Sequence, residues 1–199
     1  LSAIEAAAFL GQARRDPAPL LLPGTPGTPR TLTEAEAKAA LAGHGLEVPR
    51  HARAAQAGAL AEAAHRIGAP LVIKAEGLAH KSDLGGVVLA PEDPQVALAQ
   101  ARKMPCDSWL VEEMITGAVA ELLIGVVRDP AHGFVLTLGA GGTLTEIMAD
   151  TTRLLLPVTA DAFDAALDGL RIAPLLRGYR GAKPADREAI VGAVLAVQD

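Results

Sequence analysis

The residues most able to do chemistry lie in one stretch, Leu71-Val72-Ile73-Lys74-Ala75-Glu76-Gly77-Leu78-Ala79-His80-Lys81-Ser82-Asp83-Leu84-Gly85-Gly86. A lysine that ends an apolar strand has its backbone fixed by the sheet, and its ammonium can meet a phosphate at the strand edge. The loop behind it holds His80, Lys81 and Ser82, and its closing glycines, Gly85 and Gly86, let backbone amides approach an anion. An imidazole in such a loop can attack phosphorus and carry the phosphoryl group covalently. Read alone, the segment leaves a plainer account open: Lys74 snorkelling at the surface and Gly85-Gly86 turning into a strand. Three further groups follow. Glu112 and Glu113, before Met114, end an apolar run where a carboxylate can hold a ribose hydroxyl and backbone groups an adenine edge. Glu121 lies just beyond. Gly139-Ala140-Gly141-Gly142, with Thr143, Thr145, Glu146 and Asp150, offers amides, hydroxyls and the oxygen ligands that suit magnesium.

These groups need elements to position them. Thr33 followed by Glu36 is a capping box, so a helix is expected from there to about Ala42, stopped by Gly43 to Gly45. A second helix is expected over 57–67, ended by Gly68 and Pro70. Strands are expected at 71–74, 85–89 and 109–114, with a helix at 94–104 that has Pro94 in its first turn. Two β-rich runs, 120–128 and 134–138, flank Asp129-Pro130-Ala131-His132-Gly133 and read as an antiparallel hairpin. A glycine-rich turn at 139–142, a strand at 154–158 and helices at 160–170 and 184–197 complete the pattern, with polar Arg177 to Gly181 between the last two. Ahead of all this, Leu1 to Arg15 reads as an Ala-rich helix, and the Pro- and Gly-rich stretch to Pro29 reads as a linker. Mixed strands and helices with a hairpin in the second half favour an α+β domain in two lobes, with a nucleotide expected in the crevice between them. The lobes are expected at 31–110 and 111–199, after a leading segment at 1–30.

Composition limits the function classes. The 199 residues carry a net charge of −5, 50% apolar and 21% charged residues, which is globular rather than disordered. Aromatics make up 3%, leaving few platforms for stacking bases, and no basic stripe points to nucleic acid or membrane. No apolar run approaches the roughly 18 residues of a membrane span, and no signal peptide is visible. The single cysteine, Cys106, excludes an internal disulfide, fits a reducing cytoplasmic compartment and reads as a small buried hydrophobe. His44, His51, His65 and His132 have no chemical neighbours in sequence, and no His/Cys spacing suggests zinc. Without Gly-Lys-Ser or Gly-Lys-Thr, and without Gly-x-Gly-x-x-Gly after a strand, neither a P-loop NTPase nor a Rossmann dehydrogenase is expected.

Taken in order, the motifs resemble one family. Lys74…His80-Lys81-Ser82-Asp83-Leu84-Gly85-Gly86-Val87, Val111-Glu112-Glu113-Met114, Gly125-Val126-Val127-Arg128-Asp129-Pro130, Gly141-Gly142…Glu146…Asp150 and Leu175-Leu176-Arg177-Gly178-Tyr179-Arg180-Gly181 look like the ATP-grasp domain of ADP-forming acyl-CoA synthetases, relatives of succinyl-CoA synthetase. The resemblance covers about Thr31 to the end, and the leading 1–30 resembles the tail of a preceding CoA-ligase region plus its linker. It implies an acid–thiol ligase that works as part of a longer chain or complex, joining a carboxylic acid to CoA while ATP becomes ADP and phosphate. Phosphoryl would be relayed between a histidine of the partner region and a second histidine, matched by His80, in a mobile loop. Lys74 and Lys81 would contact nucleotide, and Glu112, Glu113 and Met114 would form the adenosine-binding strand end, with Glu121 near ribose or metal. Gly85, Gly86, Arg128, Gly141 and Gly142 would face phosphate. ATP/ADP and Mg2+ are implied here, CoA on the partner region, and a homo- or hetero-oligomer for the full-length form. Family members continue past the last helix into an acidic, Asn-Pro-containing strand that holds magnesium. That motif does not occur in this sequence, so no metal ligand is assigned, and the candidates Glu146 and Asp150 are poor substitutes for it.

Two other function classes fit parts of the pattern. An ATP-grasp carboxylate–amine ligase needs no phosphohistidine and would survive loss of His80. A non-catalytic nucleotide-sensing module fused to another enzyme would bind nucleotide without turnover.

Overall fold

Thr33 opens the first helix as its sequence requires. The Glu36 amide donates to Thr33 Oγ1 at 3.2 Å, and Glu36 Oε2 accepts from the Thr33 amide at 2.8 Å. These two bonds satisfy donors that a helix start otherwise leaves open. The computed structural model describes residues 30–78, 84–142 and 145–198. The leading segment at 1–30 therefore lies outside the described residues except for Arg30.

The described chain forms two compact units, one reaching Ala118 and the other starting at Val119. In the first, α1 (Glu34–Gly43) leads into β1 (His51–Ala54), α2 (Leu60–Ile67), β2 (Leu71–Ala75), β3 (Val87–Ala90), α3 (Pro94–Ala101) and β4 (Trp109–Glu113). The strands form an antiparallel sheet in the order β1-β4-β2-β3. Leu60, Ala63, Ala64 and Ile67 recur at helical spacing on α2 and are all buried. They pack, with Ala97, Leu98 and Ala101 of α3, against Leu71, Ile73 and Ala75 of β2 and Trp109 and Val111 of β4. The Trp109 indole N–H donates to the Ala101 carbonyl at 2.9 Å, so its polar edge is satisfied inside this core.

Strand β1 was not anticipated. His51-Ala52-Arg53-Ala54 contains no β-branched residue, so its only strand signal is that Ala52 and Ala54 face inward. Pairing with β4, in the register His51↔Glu112 to Ala54↔Trp109, makes it a strand. The same pairing moves the expected boundary between lobes. Trp109–Glu113 is hydrogen bonded on both sides, to β1 and to β2. A division at 110/111 would cut that strand, and the chain divides instead between Ala118 and Val119.

The second unit is built on a meander, β5 (Leu122–Asp129), β6 (Gly133–Ala140) and β7 (Thr151–Leu155), with α4 (Thr145–Met148), α5 (Ala160–Asp168), α6 (Ala173–Leu176) and α7 (Arg187–Gln198). Leu136, Leu138 and Ala140 meet Phe163 and Leu167 of α5, Leu176 of α6 and Val194 of α7 in one core. The expected hairpin is present, but Asp129 and Gly133 pair, so only Pro130 to His132 form its loop. Strand β6 also continues through Gly139 and Ala140, which were expected in a turn. Gly139 sits between two strands, and a Cβ there would come within 2.6 Å of Thr151 Cγ2 and 2.7 Å of the Asp150 carbonyl. Close approach of the neighbouring strand, rather than a turn, is what demands glycine. Strand β7 begins at Thr151 rather than near Leu154 and ends before Pro157, which has no N–H for the ladder.

Candidate functional site

Lys74 and Glu112 arrive on the same face by strand arithmetic. Val72 pairs with Glu112 and Lys74 with Leu110, so Lys74 and Glu112 are diagonal neighbours across β2 and β4. Their face is the one opposite Leu71, Ile73 and Ala75. Glu34 and Lys38 stand four residues apart on α1 and so share a face of that helix. The two pairs meet. Lys74 Nζ lies 2.6 Å from Glu34 Oε1 and 2.6 Å from Glu112 Oε2. Lys38 Nζ donates to Glu34 Oε1 at 3.0 Å and also pairs with Glu112 Oε1. Four side chains of alternating charge thus close a ring around the end of the Lys74 stem. The Glu112 side chain is 2% exposed, and a carboxylate so deeply buried is tolerated because both its oxygens meet ammonium groups. Burial pushes the Lys38 ammonium below the usual lysine range, an effect its hydrogen bond to Glu34 opposes. Sequence reasoning had missed Glu34 and Lys38. Their only signal was the i, i+4 spacing directly behind the capping box.

The loop after Lys74 is tied down at both ends. The Ala75 amide donates to the Gly86 carbonyl at 2.8 Å and the Glu76 amide to the Ser108 carbonyl at 3.0 Å, while Lys74 pairs with Val87. Gly85 turns with φ of 66°, a left-handed conformation that suits glycine. His80, Lys81 and Ser82 lie outside the described residues. Glu76, directly after β2, is buried and pairs with Arg53 through Oε2.

At the end of β4 the two acids differ. Glu112 belongs to the ring. The Glu113 carboxylate accepts the Arg50 amide at 2.8 Å and the Arg50 Nε at 2.7 Å, and these bonds, the backbone one foremost, hold it below the usual carboxylate range. The amides of Glu113 and Met114 are committed to the carbonyls of Arg50 and Pro70 at 3.0 and 2.9 Å. They are therefore not donors for an adenine edge. A hollow of about 260 Å³ lined by Val48, Pro49, Ile115, Glu47 and Glu113 adjoins this strand end.

In the second unit a hollow of about 330 Å³ is lined by Glu121, Gly141, Gly142, Met148 and Ile172, among others. The Gly141 amide donates to the Glu121 carbonyl at 2.8 Å. Gly142 turns at φ of 79° beneath the Glu121 carboxylate, where a Cβ would lie 2.6 Å from Oε2. Arg128 is elsewhere. It pairs with Phe134 beside the hairpin loop, whereas Ala140, the neighbour of Gly141, pairs with Leu122 at the opposite end. Six residues of strand separate them, roughly 20 Å. Arg128 and the Gly141-Gly142 turn do not form one phosphate-facing group.

The two candidate metal ligands, Glu146 and Asp150, do not assemble. Asp150 is buried, with Oδ1 accepting the Arg171 amide at 2.9 Å and Oδ2 the Ile172 amide at 3.0 Å. Those bonds pin the start of α6 to the β6–β7 connection, and Glu146 is exposed on α4. No group of three or more His, Cys, Asp or Glu among the described residues could hold a metal. Asp150→Ala is expected to destabilise the fold by about 2–4 kcal/mol, because the buried Ile172 amide and the part-buried Arg171 amide lose a charged acceptor. Denaturant unfolding within about 0.5 kcal/mol of the parent would refute that structural role. Cys106 packs half-buried against the first core, and burial pushes its thiol up, away from a reactive thiolate. No helix among the described residues is long and apolar enough to cross a membrane.

A description of the ATP-grasp domain matches residues 27–199. The chain belongs to the ATP-grasp family. Among curated relatives of this ATP-grasp chain, the beta subunit of acetate–CoA ligase [ADP-forming] II from Pyrococcus furiosus is 32% identical over 178 residues, covering 83% of this chain and 75% of that protein. A trans-feruloyl-CoA synthase from an unknown prokaryotic organism is 35% identical over 193 residues, or 90% of this chain, which spans only 27% of that protein. Acetyl-coenzyme A synthetase 1 of Ca. Korarchaeum cryptofilum, in complex with coenzyme A and Ca-AMPCP, superposes with a TM-score of 0.76 at 25% identity, covering 97% of this chain and 85% of that one. A second structure of that synthetase, with coenzyme A and Mg-AMPPCP and its phosphohistidine segment pointing towards the nucleotide binding site, gives a TM-score of 0.68 at 26% identity, covering 97% and 84%.

Proposed function

We propose that this ATP-grasp chain is the nucleotide-handling, phosphoryl-transferring part of an ADP-forming acyl-CoA synthetase, with His80 as the phosphoryl carrier. The observation that carries the reading is the anchored loop between Lys74 and Gly86. Its ends are fixed by the sheet, its closing turn is glycine, and an ammonium held at its base is suited to a nucleotide phosphate. The ADP-forming CoA ligases among its relatives, and the phosphohistidine segment of a structural neighbour, support the same assignment.

In the ligase direction a nitrogen of His80 attacks the γ-phosphorus of ATP. A P–N bond forms, the bond to the β-phosphate oxygen breaks, and ADP leaves. The phosphoryl group then passes through the CoA-ligase partner region to the carboxylic acid, and CoA displaces phosphate from the acyl phosphate, so that acid, CoA and ATP give acyl-CoA, ADP and phosphate. Lys74 would bind and orient the nucleotide phosphates, and the hollow beside Val48, Pro49 and Ile115 would take the base. Lys81 would assist at phosphate from the loop. The described residues do not fit a magnesium site, and no step is assigned to the metal. The leading segment at 1–30 is read as the tail of the preceding CoA-ligase region with its linker.

Incubation with γ-labelled ATP should leave an acid-labile, base-stable label on the chain that added ADP removes. Turnover with an amine acceptor and no protein-bound label would establish the carboxylate–amine ligase instead. Nucleotide binding without label or turnover, in the presence of the CoA-ligase partner, would establish a sensing module.

A further inference from the structure

The ring of Glu34, Lys38, Lys74 and Glu112 raises a problem of charge. Lys74 touches two carboxylates, each at 2.6 Å. Those three side chains by themselves sum to −1, a charge that opposes an approaching polyphosphate. Lys38 changes the sum. It reaches the same two carboxylates from α1, and with it the charges of the four side chains cancel. Its side chain is 15% exposed and that of Glu112 is 2%, so solvent screens these charges weakly and their balance is felt nearby.

We infer that Glu34 and Lys38 are positioning residues that set the charge Lys74 offers to a nucleotide phosphate. Neither needs to touch the nucleotide. Glu34 and Glu112 hold the Lys74 ammonium in place from two sides, and Lys38 neutralises the excess that this double grip creates. The inference rests on the reading of Lys74 as the phosphate contact, and it adds a specific sign to each substitution.

The test is titration of the folded chain with ADP and, in parallel, with adenosine, which lacks the phosphates. Lys38→Met leaves the four-residue site at −1 and should weaken ADP binding roughly tenfold. Glu34→Gln takes the site to +1 and should tighten ADP binding about threefold or more. The double variant, Glu34→Gln with Lys38→Met, returns the sum to zero and should bind ADP within about threefold of the parent. Adenosine affinity should be unchanged throughout. A merely structural role for these residues predicts the reverse: the double variant would be at least as impaired as Lys38→Met. That result, or ADP binding by Lys38→Met equal to the parent, overturns the inference. Should Lys38→Met fail to fold, Glu34→Gln decides, since it keeps both ammonium partners of Glu112; unchanged or weaker ADP binding then overturns it. A parent chain that binds neither ADP nor ATP overturns the nucleotide-site reading itself, and this inference with it.

Discussion

His80→Ala is expected to abolish the acid-labile label from γ-labelled ATP and to lower acyl-CoA formation with the CoA-ligase partner by roughly 10⁴-fold or more, because it removes the nucleophile of the covalent carrier step. ADP affinity should change little, since Lys74, rather than the carrier, is the group read as holding the nucleotide phosphates. The two measurements separate the function classes. Lost label and lost turnover with retained ADP binding is the signature of a phosphoryl relay. Full turnover by His80→Ala would end the acyl-CoA synthetase reading and leave the amine ligase standing.

Lys74→Met should produce the second large effect, and in two quantities at once. ADP binding and turnover should fall by about 10²–10³, the cost of losing a preorganised cation at a phosphate. Stability should also fall, by about 3 kcal/mol, because the Glu112 carboxylate, buried to 2% exposure, loses one of its two ammonium partners. Denaturant unfolding measures the second effect and ADP titration of the folded fraction the first. A folded Lys74→Met chain that binds ADP like the parent would remove Lys74 from the nucleotide site. Lys74→Arg should recover more stability than activity, because a planar guanidinium keeps the charge but cannot reproduce a point ammonium held between two carboxylates.

Comparing these residues with their sequence signals shows how much of the site was legible. The capping box at Thr33 and Glu36, the amphipathic spacing of Leu60 to Ile67 and the apolar runs at Leu71 and Trp109 are local signals, and each formed the element it implied. Strand β1 was not legible, since Ala52 and Ala54 become strand residues only beside β4. The Gly139 to Gly142 stretch was half legible. Gly142 does turn, but Gly139 is glycine because Thr151 and the Asp150 carbonyl press against it, and that neighbour is set by register. Asp150 was misplaced for the same reason. Its type suggested a metal ligand, whereas its surroundings make it an acceptor for two backbone amides.

The sequence by itself determined the ordered set of motifs, and with them the ATP-grasp family and the prominence of Lys74. Those depend on residue types and short spacings, which a chain carries whether folded or not. Only the tertiary structure decided what Lys74 is surrounded by. Glu34 and Lys38 lie roughly forty positions before it in the chain, and no local rule joins a helix face to a strand diagonal. The ion pairs that tie α1 to β2 and β4 do so, and they turn a lone strand lysine into one member of a group of four alternating charges. Coulomb energies depend on distance through space and on burial, and neither quantity is written in sequence order.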